Sequence, residues 1–157
     1  MKYRVPRLCA EPGAAGWITT LDEQQLMRIE TVPHGRAVGV LVRSPDGEVL
    51  AAVQLLRRLA RTEAVVELGS EQFATLSRQG SGRHGAVRVR CAAGDYDVAG
   101  DFDAWDFHVL LNASPVADVA PRKTDATSAH VETSDTEEQL ALLAMVLAVD
   151  LLLRASS

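Results

Sequence analysis

With 157 residues, 47% of them hydrophobic and 24% charged, the chain is long enough to bury a sizeable core as one domain over 1–157. Its formal charge of −5, from 16 basic and 21 acidic side chains, argues against a general nucleic-acid binder, which needs a strongly basic face. The two cysteines, Cys9 and Cys91, have neither CxxC nor Cys/His ligand spacing and read as small buried residues rather than reactive thiols.

Met1-Lys-Tyr-Arg-Val-Pro-Arg mixes charge with β-branched residues and lacks the apolar run of a signal peptide, which points to the cytoplasm. Only Lys2 and Lys123 are lysines, and the preference for Arg, Ala, Val and Gly suggests a GC-rich, bacterial genome. As far as Thr133 the chain reads as short strands separated by turn residues, the pattern of an all-β sandwich or barrel. Tyr3–Cys9 opens the series and Pro12-Gly13 breaks it. Trp17–Thr20 and Leu26–Val32 pair around Leu21-Asp-Glu-Gln, and Pro33-His-Gly-Arg36 turns the chain again. Val38–Arg43 and Val49–Leu56 flank Ser44-Pro-Asp-Gly-Glu48, a hairpin turn in which Pro fixes φ and Gly accepts positive φ.

Leu55–Val66 has enough Leu, Arg and Ala to score as helix, and context favours strand. Strands follow at Ala64–Leu68 and Gln72–Arg78, then a loop over Gln79–Gly85 that reads as mobile. In Ala86–Cys91 the residues Val87 and Val89 alternate with Arg88 and Arg90, as in a half-buried strand. Tyr96–Gly100, Phe107–Leu111, Pro115–Ala120 and Thr127–Thr133 complete the set, with turns at Ala92–Asp95, Asn112-Ala-Ser and Arg122–Asp125.

The last element is different in kind. From Leu140 to Leu153 only Asp150 is polar, and neither Gly nor Pro interrupts the run, which predicts a helix over about 135–154. Ser134 with Glu137, or Asp135 with Glu138, has capping-box spacing at its start. A helix that is apolar all round must be enclosed by protein or by lipid. The apolar segment spans roughly 21 Å, short of the roughly 30 Å hydrocarbon core, so the reading is a buried helix and no transmembrane span. Half-apolar strands need a common core and this helix needs a complete wall; a sheet closed around it answers both needs.

The chemical groups are sparser. Arg57, Arg58 and Arg61, with Arg88 and Arg90, are the candidate anion-binding residues, because guanidinium groups clustered on outer strand faces suit phosphate or lipid headgroups. Asp95, Asp97, Asp101, Asp103 and Asp106 lack EF-hand spacing and read as turn formers and solvent-facing groups rather than a metal site. A carboxylate inside an apolar helix has a raised pKa unless paired, and Asp150, about one turn from the end, reads as exposed at the barrel mouth or bonded to nearby backbone. His34, His84, His108 and His130 have no metal spacing, no nucleophile motif accompanies them, and Gly80-Ser-Gly82 precedes neither lysine nor helix.

The stretch Val98-Ala-Gly-Asp-Phe-Asp-Ala-Trp-Asp-Phe-His-Val109, the strand Pro115-Val-Ala-Asp-Val119, the strand to Val131 and the acidic cap before Leu140–Leu153 resemble, in order and spacing, the tubby C-terminal-like superfamily. Within it the chain is most similar to the LURP-one-related group, whose repeated unit the Ser44-Pro-Asp-Gly-Glu-Val-Leu-Ala hairpin also resembles. It departs from the group at Arg83–Arg88 and Asp125–Ala129. The resemblance implies a mostly β fold: a closed antiparallel barrel of about 12 strands around the hydrophobic C-terminal α-helix. It implies no enzyme and no cofactor. Relatives include phosphoinositide-binding tubby proteins and phospholipid scramblases, so the expected function is a non-catalytic binding module that recognises an anionic lipid or other anionic ligand at a membrane surface. The alternative is a protein-interaction or regulatory scaffold, favoured by the net negative charge.

Overall fold

Period-two alternation in the sequence becomes a closed sheet in the computed structural model, which describes residues 1–7, 15–34, 37–58, 61–79, 86–124, 127–135 and 137–155. In chain order the strands are β1 (Lys2–Pro6), β2 (Ala15–Thr19), β3 (Gln25–His34), β4 (Ala37–Arg43), β5 (Val49–Arg58) and β6 (Arg61–Leu68). The second half of the wall is β7 (Glu71–Gln79), β8 (Ala86–Cys91), β9 (Tyr96–Asp101), β10 (Asp106–Leu111), β11 (Ser114–Pro121) and β12 (Ser128–Thr133). One helix follows, α1 (Gln139–Ala155). Each strand pairs antiparallel with its neighbours in sequence, and β1 pairs with β12 to close the barrel. The twelve strands and the terminal helix are those the sequence predicts.

Boundaries differ where local propensity is weakest. The stretch that could be scored as helix is strand on both sides, with β5 running on to Arg58 and β6 starting at Arg61, because pairing from Ala51↔Leu68 to Arg58↔Arg61 satisfies both backbones. Pro33 and His34 belong to β3 rather than to a turn, paired with Val38 and Ala37. β1 stops at Pro6, and the rest of its predicted extent to Cys9 lies mostly outside the described residues, as does the predicted loop over 80–85. The Ser44–Glu48 turn forms as read, with Gly47 at φ 93 and its N–H donating to the Ser44 carbonyl at 2.9 Å.

The helix is the core. Every residue from Ala141 to Leu152 is at most 2% exposed, and each buried Leu, Met or Val contributes about 1.5–3 kcal/mol. α1 packs most closely on β6, then on β5 and β7. Ala51, Ala64 and Ala74, fully buried on those three strands, allow that approach. Ile18, Ile29 and Phe107 on other strands supply bulk elsewhere in the wall, as alternating small and large residues must when an off-centre helix fills a barrel. Outward positions such as Arg88, Asp97, His108, Asp118 and Glu132 are exposed. That is the reverse of a membrane-spanning barrel, with its apolar outer band and polar lumen. Among the described residues no helix is long and apolar enough to cross a membrane.

Two readings at the helix ends need correction. α1 starts at Gln139, not near 135, and the Glu138 carbonyl accepts the first helical bond from Leu142 N–H at 3.2 Å, so neither predicted capping box begins it. Asp135 instead pairs with the Met1 ammonium at 2.7 Å. The Gln139 side chain organises the entry, donating to the Ser134 and Glu137 carbonyls at 2.8 and 3.0 Å while accepting from Tyr3 Oη at 2.9 Å and from Thr133 Oγ1. Asp150 is not exposed at the barrel mouth. It is 1% exposed, and Arg154 Nε, one turn on, donates to its Oδ1 at 2.9 Å. A buried carboxylate needs such a partner, and the last turn brings it.

Candidate functional site

Antiparallel register decides which polar side chains meet on the outside of the barrel. On β1, Tyr3 and Val5 point inward, which leaves Lys2 and Arg4 outward; on β12, Ala129 and Val131 are buried and His130 and Glu132 are exposed. Pairing places Arg4 beside His130, and His130 beside Ala120 of β11. The next row is Lys2, Glu132 and Asp118. β11 ends at Pro121, still paired with Ala129 of β12, and the next residue reaches back, Arg122 Nη1 donating to Ser128 Oγ at 2.9 Å. The tight turn after β2, closed by Glu23 N–H to the Thr20 carbonyl at 3.0 Å, brings Leu21 to the same face.

These segments enclose a groove of about 460 Å³ lined by Arg4, Arg122, Lys123 and His130 around Leu21 and Pro121. It continues, past the shared residues Leu21 and His130, into a smaller recess of about 280 Å³ beside Lys2 and Glu132. Three permanent cations and an imidazole share one wall. Arg4 Nη1 is engaged by Glu23 Oε1 at 3.2 Å, but its buried Nε has no hydrogen-bond partner among the described residues. Guanidinium groups at a concave site suit a phosphate or carboxylate, which they can grip in a bidentate fashion. The chain's two lysines both border this combined groove.

The arginines singled out in the sequence lie elsewhere, along β5, β6 and β8. Arg61 Nε and Arg90 Nη2 converge on Glu63 Oε1 at 2.8 and 3.8 Å, and that carboxylate is only 2% exposed. The two guanidinium groups are therefore tied to one buried anion, which matches part of their charge. Arg88 is exposed, with Asp97 of β9 and Ser77 of β7 as its register partners. Arg57 is exposed near the end of β5 opposite Thr62, and the Arg58 side chain lies outside the described residues. Of the four whose side chains are described, the structure brings Arg61 and Arg90 together on Glu63.

Of the aspartates of 95–106, Asp101 serves the β9–β10 connection, its Oδ1 accepting from Ala104 N–H at 3.3 Å, and Asp97 is exposed on β9. Among the described residues no three His, Cys, Asp or Glu side chains form a metal-binding group. His108 is bonded to Asp118 across β10–β11. His84, Cys9 and the His34 side chain lie outside the described residues.

Sequence reasoning missed the groove because its residues come from the two ends of the chain. Arg4 and His130 are separated by almost the whole barrel in sequence, and only the β1–β12 register makes them neighbours. The Arg122-Lys123 pair within a turn was the local signal available.

In fold the chain is similar to a protein from Arabidopsis thaliana, AT5G01750, whose X-ray structure matches with a TM-score of 0.63 over 99% of this chain and 92% of the other. The two are 14% identical, and the likeness is one of fold. No family model matches the chain, and no curated protein matches it in sequence.

Proposed function

We propose that this chain is a non-catalytic binding domain of the LURP-one-related, tubby-like kind, and that it recognises an anionic group in the groove formed by Arg4, Arg122, Lys123 and His130. The anion is a lipid headgroup at a membrane surface or the equivalent group of a free ligand. The observation that carries the reading is this gathering of cations on a chain whose net charge is −5. Beyond about 10 Å, exposed charges are screened at moderate salt, so local concentration in a concave site matters more than net charge. The arginine face of Arg57, Arg61, Arg88 and Arg90 is the weaker candidate, because Glu63 already holds two of its members. The twelve-strand barrel around a buried terminal helix supports the family assignment.

Co-sedimentation with phosphatidylcholine vesicles, with and without phosphatidic acid, tests the reading at low salt. The protein is expected to pellet only with the anionic vesicles. Each basic side chain near such a surface is worth about 1 kcal/mol, so the double variant Arg122→Gln/Lys123→Gln is expected to lose about 30-fold in affinity. If the native protein neither pellets nor binds inorganic phosphate, the reading is wrong. Recovery of a stoichiometric protein partner would then favour the scaffold alternative.

A further inference from the structure

Glu23 occupies an unusual position beside the groove. It sits in the β2–β3 turn with φ 68, a left-handed conformation that non-glycine residues adopt at a cost. Its side chain is 78% exposed, yet its carboxylate reaches Arg4, which is 24% exposed, at 3.2 Å. The same turn contributes Leu21, whose side chain lines both parts of the groove and is 42% exposed. Thr20 clamps the turn from within: its Oγ1 accepts from Gln24 N–H at 3.1 Å, its carbonyl from Glu23 N–H and its own N–H bonds to the Gln24 carbonyl.

Among the described residues this contact also crosses the most sparsely paired seam of the barrel. β1 and β2 share one register pair, Arg4↔Thr19, whereas β1 and β12 share five. With so little backbone pairing, the side-chain clasp of Arg4 with Glu23 adds a tie between the turn and β1 at the groove wall. Local opening is cheapest where backbone pairing is thinnest.

We propose that Glu23 is a tethered internal anion that occupies Arg4 in the empty groove, and that an entering oxyanion, such as a phosphate monoester, replaces it and releases the Leu21–Glu23 turn. This rests on the anion-binding reading above. The chemistry is a simple exchange of acceptors. The guanidinium keeps a negatively charged partner throughout, the incoming oxyanion can also reach Arg122, Lys123 and His130, and the displaced Glu23, already mostly exposed, is solvated. The turn then loses the ion pair that joins Glu23 to β1, while its internal bonds to Thr20 remain. Binding affinity is therefore set partly by a competitor built into the chain, and any change that removes the Glu23 charge favours the ligand.

The experiment is a phosphate titration followed by ¹H–¹⁵N NMR on the native protein, Glu23→Gln and Asp22→Asn. Asp22 is the adjacent exposed carboxylate, so Asp22→Asn makes the same charge change without touching the clasp. An exposed ion pair is worth little, so Glu23→Gln is expected to bind phosphate about two- to fivefold more tightly, and Asp22→Asn by less than about twofold. Amides of residues 21–24 are expected to shift on binding in the native protein and to start near their bound positions in Glu23→Gln. Equal gains in the two variants would show a plain charge effect and overturn the proposal. Binding of phosphate and of the anionic vesicles that is in each case the same in the native protein and Glu23→Gln would overturn the clasp while leaving the anion site standing. No response to phosphate or to the anionic vesicles in any of the three would overturn both. Repeating the comparison with vesicles containing phosphatidic acid assigns the oxyanion's source: a gain with vesicles alone supports exchange by a lipid headgroup, and a gain with phosphate as well supports exchange by a free ligand.

Discussion

Gly100 shows how a single residue can matter for a reason that lies on another strand. Its φ is +152, and a Cβ built there would lie 2.5 Å from the Asp106 carbonyl oxygen and 2.6 Å from Phe107 Cα. The register pair Phe107↔Gly100 brings that backbone in, and Phe107 is fully buried with the Phe102 ring tilted against it and the Trp105 ring edge-to-face with it, each at 5.7 Å between centroids. Backbone cannot yield as a flexible side chain does, so Gly100→Ala is expected to cost about 2–4 kcal/mol in denaturant unfolding. A loss below about 0.5 kcal/mol would contradict the packing described. The Gly100-Asp-Phe102 turn was legible in the sequence as a motif, but the steric demand was not, because it comes from a strand paired to it. The same holds for Asp150. Its isolation among apolar residues marked it, and only the helix reaching Arg154 with its donor on the same face showed that it is buried and paired. Arg4 and His130 carried no individual signal at all.

Among the elements, α1 was the most legible, since an uninterrupted apolar run without Gly or Pro leaves little besides a buried helix. Its start was not, because Ser134 with Glu137 and Asp135 with Glu138 both have capping-box spacing and neither begins the helix. The structure settles the start through Gln139 and Tyr3, which join the helix entry to β1. Burial, with the Asp135 carboxylate adding to it, holds the Tyr3 phenol above the ordinary tyrosine value of about 10. Burial, with Cys91 and Glu137 nearby, does the same to Tyr96, the other tyrosine. In the unfolded chain both phenols ionise near pH 10, while the folded chain keeps its protons. The stability they contribute is therefore complete below about pH 10 and is lost as pH rises through the raised folded values. Urea unfolding between pH 9 and 11.5 is expected to show this decline. Tyr3→Phe is expected to be about 1 kcal/mol less stable at pH 8, through the lost bond to Gln139, and to decline less steeply above pH 10. An unchanged alkaline slope in Tyr3→Phe would show that this phenol does not couple folding to pH. The strands, by contrast, were read correctly in number because alternation and turn residues are local. Their ends were off by a few residues because pairing partners decide where a strand stops.

At the scale of the whole molecule, closure of the sheet removes every free edge and consumes the most hydrophobic stretch of the chain in its interior. Recognition is thus left to the outer strand faces and turns. Which part of that outer face is used could not be read from the sequence, where the arginines of 57–61 and 88–90 stand out by proximity alone. Closure through β1 and β12 makes a second cationic surface from the first and last strands, and that surface is concave whereas the arginine face is divided by Glu63. The measurement that separates the two is residue-by-residue mapping of inorganic phosphate binding by ¹H–¹⁵N NMR on the native protein. The expected result is a set of titrating shifts centred on Arg4, Leu21, Arg122, Lys123 and His130, with Arg57, Arg88 and Arg90 unmoved. Shifts centred on β5, β6 and β8, or none anywhere up to about 10 mM phosphate, weaker than a 1 mM site at −4.1 kcal/mol, would contradict it.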